Sequence, residues 1–151
     1  MAAPRVTVLV PTHDHASTLG HSVTSALRQS IADIEVVIVC DGVGSDTLDV
    51  VHDLERADRR VRRVEIPKSP RHGEPARHDV LQSCESAVVG YLCDDDLLLP
   101  WHLEHMLEVL GDRDFAHPLP LYFVDNADEP VAFPMDLSDP RWVAAQPISS
   151  N

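Results

Sequence analysis

The sequence lacks both a membrane-spanning segment and a pattern of cysteines typical of disulfide-linked domains. Its longest purely aliphatic stretches, such as residues 36–39, have the length of a β-strand, whereas a transmembrane helix needs about 18 or more apolar residues. The first residues show no basic segment followed by an apolar core and a small-residue cleavage site. The three cysteines are irregularly spaced, which indicates no disulfide framework. We therefore expect a cytoplasmic protein with no membrane span.

Basic residues are also scarce in this chain. The 12 Lys and Arg residues are outnumbered by 25 Asp and Glu residues, and the net charge is −13. Nucleic-acid binding needs a basic face that displaces counterions from phosphates, so the composition argues against a nucleic-acid partner. A diphosphate ligand would need local basic groups, backbone N–H groups or a bridging cation. The 151 residues and the 44% hydrophobic content suffice for one globular core.

Apolar runs of strand length alternate with segments of helical periodicity over the first 110 residues. The predicted strands are Arg5–Pro11, Glu35–Cys40, Val61–Ile66 and Val88–Cys93. The predicted helices are Ser17–Gln29, with Ser17 as N-cap, Asp46–Ala57, Pro75–Ser86 and Pro100–Leu110. Four successive β–α units predict an α/β fold, in which a mostly parallel sheet is flanked by helices.

The rest of the chain has a weaker pattern and many prolines. We predict an α/β domain over residues 1–111, followed by an irregular, proline-rich tail over residues 112–151. One or two further strands are predicted in this tail, at Leu119–Val124 and Pro130–Phe133, and the tail is expected to be the start of an acceptor region.

Polar residues follow the predicted strands at the points where ligands bind in open α/β sheets. The strand ends are Thr12-His13-Asp14, Asp41-Gly42, Pro67-Lys68 and Asp94-Asp95-Asp96. The three consecutive aspartates offer hard oxygen ligands, which suit Mg²⁺ or Mn²⁺. In the alternative interpretation, Asp96 caps the helix that starts near Pro100 and the other two are solvated.

Asp41, His13 and Arg77 each allow a functional and a structural interpretation. Asp41 could accept a hydrogen bond from a base or a ribose, or it could cap the next helix. His13 could stack on a base, and Arg77, on the first turn of its helix, could contact a phosphate or a base; both could equally be solvated surface residues.

Four segments together resemble the nucleotide-binding segments of family 2 glycosyltransferases of the GT-A type, in the same order and at similar intervals. These segments are Val6–Leu19 (VTVLVPTHDHASTL), Glu35–Thr47 (EVVIVCDGVGSDT), Gly73–Leu81 (GEPARHDVL) and Tyr91–Pro100 (YLCDDDLLLP). The resemblance implies a Rossmann-like GT-A nucleotide-binding domain. It also implies transfer of a sugar, with inversion, from a nucleoside-diphosphate sugar to an acceptor hydroxyl.

The resemblance also assigns roles to residues after the first two strands. Pro11, Thr12 and His13 would wrap the base, with His13 at a position that is usually aromatic. Asp14 stands where the family often has asparagine and would belong to the same nucleotide site. Asp41 would hydrogen-bond the base, commonly uracil, so UDP is the expected carrier of the donor sugar.

The remaining implied roles lie after the third and fourth strands. Arg77 would contact the nucleotide, Asp94 would approach the ribose, and Asp95 would ligate the Mn²⁺ or Mg²⁺ ion that bridges the diphosphate. Cys93 stands where many members begin their Asp-x-Asp motif, Cys40 replaces an aspartate, and His78 replaces an asparagine.

In the family, an acceptor-binding half with a catalytic carboxylate follows the region where this sequence ends. We therefore expect either a fragment of a longer enzyme or a short, non-catalytic module that binds or regulates through the donor nucleotide. The catalytic base and the acceptor are unassigned, and self-association is expected, because the sheet would have an uncovered edge. The tail acids offer no convincing base: Asp125, Asp128, Glu129, Asp136 and Asp139.

Three rival functions fit the sequence less well. A dinucleotide-binding oxidoreductase would use Gly42 and Gly44, but Thr47 occupies the third glycine position and the motif follows the second strand. A zinc site would use His13-x-His15 or His102-x-x-His105, and neither pair has cysteines at zinc-finger spacing. A nucleotidyltransferase would need a glycine-rich, lysine-containing loop after the first strand, where this chain has His13-Asp14-His15.

Overall fold

The computed structural model describes residues 3–69, 74–123 and 129–132. The strands are β1 (Val6–Thr12), β2 (Ile34–Asp41), β3 (Val61–Ile66), β4 (Val88–Tyr91), β5 (Leu121–Tyr122) and β6 (Val131–Ala132). The helices are α1 (Ala16–Leu27), α2 (Ser45–Ala57), α3 (Glu74–Gln82) and α4 (His102–Leu110). The chain divides into two compact units, residues 1–107 and residues 108–151. Among the described residues, no helix is long and apolar enough to cross a membrane.

The first unit contains a parallel sheet of four strands in the order β3-β2-β1-β4. Val8 on β1 is paired with Val36 on β2 and with Gly90 on β4. On the far side of β2, Val36 is paired with Val61 of β3. This sheet and its helices confirm the predicted α/β fold.

The aliphatic runs of β1 and β2 form strands because both faces of these strands are buried. On one face, alternate residues such as Val8 and Ile38 pack with Leu19 of α1 and Val51 of α2. On the other face, Leu9, Val37 and Val39 pack with Val80 of α3. Burying each such side chain contributes about 1.5–3 kcal/mol, so these two strands form the centre of the core.

Several element boundaries differ from the predictions, for local hydrogen-bonding reasons. The helix α1 begins at Ala16, with His15 as its N-cap, and the predicted cap Ser17 lies inside the helix. The backbone carbonyl of His15 accepts hydrogen bonds from the N–H groups of Thr18 and Leu19. A second difference concerns another helix: α3 ends at Gln82 and not at Ser86 as predicted.

The described part of the second unit includes a short antiparallel pair of strands. Residue Leu121 is paired with Ala132, and Tyr122 with Val131. The two strands are shorter than predicted, and the predicted end residues Val124 and Phe133 lie outside the described residues.

Candidate functional site

The parallel arrangement brings the ends of β1, β2, β3 and β4 to one edge of the sheet. Hydrogen bonds between side chains and backbone groups then connect these ends in two places. Asp41, at the end of β2, contacts the segment after β3. His15, after β1, contacts Asp94 in the segment after β4. The edge predicted from the sequence therefore gathers polar groups from all four strand ends.

Asp41 is buried and is held by two hydrogen-bond donors. Its Oδ1 accepts a 2.6 Å hydrogen bond from the backbone N–H of Ser69, and its Oδ2 lies 3.1 Å from Nζ of Lys68. Burial raises the pKa of this carboxyl, but these two hydrogen bonds and the nearby His13 outweigh burial and lower the pKa below its ordinary value. The side chain is therefore an ionised acceptor at neutral pH.

The structure contradicts the interpretation of Asp41 as a helix cap. The N-cap of α2 is Gly44, in an extended conformation, and no side chain caps this helix. Asp41 instead connects the end of β2 to the segment after β3, and Gly42 makes the turn that follows β2. Gly42 has a φ of 60°, a conformation that favours glycine because a Cβ atom is disfavoured there.

Two buried polar atoms at the end of β1 have no hydrogen-bond partner among the described residues. These atoms are Oγ1 of Thr12, a residue that is 4% exposed, and Nδ1 of His13; a third such atom, Oγ of Ser22, lies within α1. A buried polar group without a partner costs about 1–3 kcal/mol. A ligand that supplied partners to Thr12 and His13 would therefore gain affinity from this site. These unpaired atoms depend on side-chain placement and have no signal in the sequence.

The other two predicted residues of this segment are partly or fully open to solvent. Pro11 is half-buried within β1, and Asp14 is exposed after it. Nε2 of His13 lies 3.2 Å from Oδ2 of Asp14. The segment therefore presents an imidazole and a carboxylate side by side, beside the ionised Asp41.

His15 and Asp94 form a contact that the sequence analysis did not find. Nδ1 of His15 lies 2.8 Å from Oδ1 of Asp94, and Asp94 is only 7% exposed. The hydrogen bond to Asp94 raises the pKa of His15, and the charges of Asp94 and Asp95 act in the same direction. Because the two residues are 79 positions apart, no local pattern indicates this pair.

The acidic segment after β4 presents an exposed group of potential metal ligands. One ligand atom from each of Cys93, Asp95 and Asp96 lies within 4.8 Å of the others. Oxygen ligands bind Mg²⁺ or Ca²⁺ at about 2.0–2.6 Å, so atoms at this separation fit around a single cation. Partial desolvation and the neighbouring aspartates raise the pKa of the Cys93 thiol. The two carboxylates supply the hard oxygen ligands of this group.

Asp96 is not the helix cap that the alternative interpretation predicted. The helix α4 begins at His102 and not at Pro100, so residues 97–101 separate Asp96 from it. The backbone N–H of Asp96 instead donates a 3.2 Å hydrogen bond to the carbonyl of Cys93. This turn brings Asp95 and Asp96 onto the same exposed loop as Cys93.

Arg77 lies on α3 and lines a groove of about 290 Å³ with His78, Leu81 and Tyr91. It is half-buried and has no ion-pair partner within the part of the chain that the structure describes. The residues that line this groove do not include Asp41 or its partners Lys68 and Ser69. Residues 70–73, which precede α3 in the sequence, are outside the described residues.

Three other groups of residues were considered from the sequence: the histidine pairs, the acids of the tail and Cys40. Within residues 3–69, 74–123 and 129–132, the only group of three or more metal-ligating side chains is the acidic group above, and no histidine belongs to it. Of the tail acids, Glu129 is exposed and the other four lie outside the described residues. Cys40 is buried, which raises its pKa to about 11, so this departure from the family pattern places a neutral thiol in the core.

Comparisons with known proteins identify the family. The sequence model described as "Glycosyl transferase family 2" matches residues 7–143. The chain belongs to this family. It is 33% identical over 115 residues to a chondroitin synthase of Pasteurella multocida strain Pm70 and, likewise, to a hyaluronan synthase of Pasteurella multocida. Each match covers 75% of this chain and 12% of the relative.

A third relative is a GalNAc(5)-diNAcBac-PP-undecaprenol beta-1,3-glucosyltransferase of Campylobacter jejuni. It is 25% identical over 114 residues, which cover 76% of this chain and 37% of that protein. The chain thus spans between about a tenth and two fifths of the length of these three relatives.

Two solved structures have a similar fold. Residues 1–349 of S. aureus TarS match with a TM-score of 0.62 and 22% identity, over 72% of this chain and 32% of that one. The mannosyltransferase PcManGT from Pyrobaculum calidifontis matches with a TM-score of 0.61 and 23% identity, over 74% of this chain and 34% of that one. The comparisons confirm the predicted family and the GT-A fold.

Proposed function

We propose that this chain binds the donor of a glycosyl transfer reaction. In that reaction, a sugar passes from a nucleoside-diphosphate sugar to an acceptor hydroxyl, with the help of a divalent cation and with inversion. One observation carries the proposal: the ionised Asp41 lies at the edge of the sheet beside unpaired polar atoms of Thr12 and His13. Such a set of acceptor and unpaired groups suits the polar edge of a base.

The roles proposed for the first half of the site combine the family resemblance with the contacts of Asp41, Thr12 and His13. Asp41 accepts a hydrogen bond from a base N–H, because its carboxylate is ionised and its oxygens have lone pairs beyond those used by Lys68 and Ser69. Pro11, Thr12 and His13 enclose the base. Asp14 is the least buried member, and its proposed role is to orient the His13 imidazole.

The second half of the site would hold the diphosphate. Asp95 would hold the cation, with Asp96 and Cys93 close enough to contribute. A Mn²⁺ or Mg²⁺ ion held there would supply Lewis-acid chemistry that offsets the negative charge of the diphosphate leaving group. Such an ion also lets a chain with a net charge of −13 bind an anionic donor. Asp94 keeps its second carboxylate oxygen for the ribose, and Arg77 contacts the nucleotide.

Ligands bound in solved structures of similar fold support a nucleotide donor and a cation. S. aureus TarS has been solved in complex with UDP and with UDP-GlcNAc, and PcManGT in complex with GDP-Man and Mn²⁺. We propose UDP as the carrier for this chain, on the strength of the family resemblance at Asp41.

A calorimetric panel tests the proposal. The chain is titrated with UDP, GDP, dTDP and NAD, each with and without Mn²⁺. We expect UDP to bind most tightly and only in the presence of the cation. Binding of NAD without metal would favour an oxidoreductase, and no binding of any nucleoside diphosphate would refute the proposal. Incubation with labelled nucleotide sugars, Mn²⁺ and an acceptor mixture then separates an active transferase from a module that binds donor without transfer.

A further inference from the structure

We propose that Lys68 is a positioning residue of the nucleotide site and that it fixes the Asp41 carboxylate in the orientation that meets the base. The inference rests on the proposed function, because it takes Asp41 as the contact to the base. It concerns a residue for which the sequence analysis gave no role.

Lys68 and Ser69 hold both oxygens of one carboxylate. The ammonium of Lys68 donates to Oδ2 at 3.1 Å, and the backbone N–H of Ser69 donates to Oδ1 at 2.6 Å. Rotation of the carboxylate would break both hydrogen bonds together. The Asp41 side chain is 9% exposed, whereas that of Lys68 is 52% exposed, so a buried carboxylate is paired with a lysine that remains accessible to solvent.

The backbone fixes the place of Lys68. The N–H of Gly42 donates a 2.9 Å hydrogen bond to the carbonyl of Ile66, which ties the turn after β2 to the end of β3. The approach is so close that a Cβ atom on Gly42 would lie 2.6 Å from Cβ of Lys68 and 2.8 Å from its backbone nitrogen. The lysine therefore does not reach Asp41 from a distant loop; the two strand ends are packed against each other at this point.

The charges around Asp41 give Lys68 an effect that can be measured. Lys68, from the segment after β3, and His13, from the end of β1, both act on this carboxylate and lower its pKa. Burial acts in the opposite direction and raises the pKa of Asp41. Without Lys68, only Ser69 and His13 would counter the rise in the Asp41 pKa that burial causes. Asp41 would then take up a proton at a higher pH and lose its ability to accept a hydrogen bond from the base.

Three variants test this role: Lys68→Met, Lys68→Arg and the control Arg56→Met. Arg56 is an exposed residue of α2 that pairs with Asp53, and its loss changes the net charge by the same amount. UDP affinity is measured by calorimetry with Mg²⁺ between about pH 5 and pH 8, where carboxyl groups with raised pKa values titrate. Thermal melts of each variant report folding separately.

We expect Lys68→Met to bind UDP about 10-fold to 100-fold more weakly at neutral pH, as for the loss of a charge-assisted hydrogen bond. Its affinity should also fall at a higher pH than that of the wild type. Lys68→Arg should restore most of the affinity and the wild-type pH profile, and Arg56→Met should bind as the wild type does. Equal affinities and equal pH profiles for Lys68→Met and the wild type would overturn the inference while leaving the proposed function standing.

A second measurement needs no substitution at position 68. Lys68 is the only lysine of the chain, so reductive methylation with isotopically labelled formaldehyde marks this side chain and the terminal amine alone, and keeps their charges. Addition of UDP and Mg²⁺ should shift the Lys68 resonance and leave that of the terminal amine in place. An unmoved Lys68 resonance in a sample that binds UDP would contradict the inference. If the wild type binds no nucleoside diphosphate, the proposed function and this inference both fail.

Discussion

Thr7 on β1 donates a 2.7 Å hydrogen bond from its hydroxyl to Oε1 of Glu35 on β2. The same Thr7 oxygen accepts a 2.7 Å hydrogen bond from Ser86, and Arg62 of β3 donates a 2.9 Å hydrogen bond to the second oxygen of Glu35. Burial raises the pKa of Glu35, but Arg62 and Thr7 together lower it below its ordinary value. A chain of polar contacts thus crosses the sheet near the amino ends of its strands.

Substitution Thr7→Val should remove the central link of this chain at nearly constant volume. The fully buried hydroxyl would be lost, and Ser86 and Glu35 would each lose a partner. We expect the free energy of unfolding in urea to fall by about 1–2 kcal/mol. Thr18→Val is the matched control, because the Thr18 hydroxyl makes only an exposed 3.4 Å contact. A similar loss in both variants would show that valine itself, and not the polar chain, is responsible.

Gly42→Ala should destabilise the protein and weaken UDP binding together. The added Cβ atom would meet Lys68 at 2.6 Å in a backbone conformation with a φ of 60°, and such strain costs about 1–3 kcal/mol. Gly20→Ala is the contrasting variant. Gly20 lies within α1, and an added Cβ atom would make an ordinary van der Waals contact with Val50 at 4.0 Å. We expect the free energy of unfolding to rise by about 0.5–1 kcal/mol. Chemical denaturation and calorimetry measure both effects; unchanged UDP affinity in folded Gly42→Ala would argue against a site at this turn.

Asp95→Asn should remove most of the cation-dependent UDP affinity, because it removes the proposed charged ligand. Asp96→Asn should cause a smaller loss of affinity and no loss of stability, since Asp96 does not cap α4. Asp33→Asn serves as the control for net charge, because this exposed residue precedes β2 at the opposite edge of the sheet. Titration of UDP at several Mn²⁺ concentrations separates these cases. A larger loss in Asp96→Asn than in Asp95→Asn would reverse the proposed roles.

The pair of His15 and Asp94 predicts a pH dependence with a definite sign. The pKa of His15 is raised above its ordinary value of 6.5 in the folded state. The contribution of this pair to the free energy of unfolding is therefore fully present below pH 6.5, and it is lost as pH rises through the folded-state pKa. An NMR titration should show the His15 ring titrating above 6.5 in the wild type and at a lower pH in Asp94→Asn. His15→Gln identifies the resonance, and identical titration curves in wild type and Asp94→Asn would refute the pairing.

The sequence was sufficient for the fold because its signals there are local and repeated. The aliphatic runs of β1 and β2 predict buried parallel strands, and the structure has both. Boundaries were less accurate: the α4 prediction began at Pro100, although the helix starts at His102. The capping role suggested for Asp96 failed with that boundary, since a cap must directly precede its helix.

Predictions for the site were limited to positions in the chain. Strand ends indicated Asp41 and the three aspartates, because parallel strands bring their carboxyl ends to one edge. The link from Asp41 to Lys68 and the one from His15 to Asp94 join residues 27 and 79 positions apart. Such pairs follow from side-chain geometry in three dimensions, which a single sequence does not encode in any local pattern.

The order of the strands connects the two halves of the proposed site. Because β1 lies between β2 and β4, the segment that follows it faces both neighbours. His13 lowers the pKa of Asp41, and His15, two residues later, contacts Asp94, which is adjacent in sequence to the proposed cation ligand Asp95. Base binding and cation binding should therefore be thermodynamically coupled through this one segment. By linkage, a cation that tightens base binding is itself bound more tightly, by the same factor, when the base is in place.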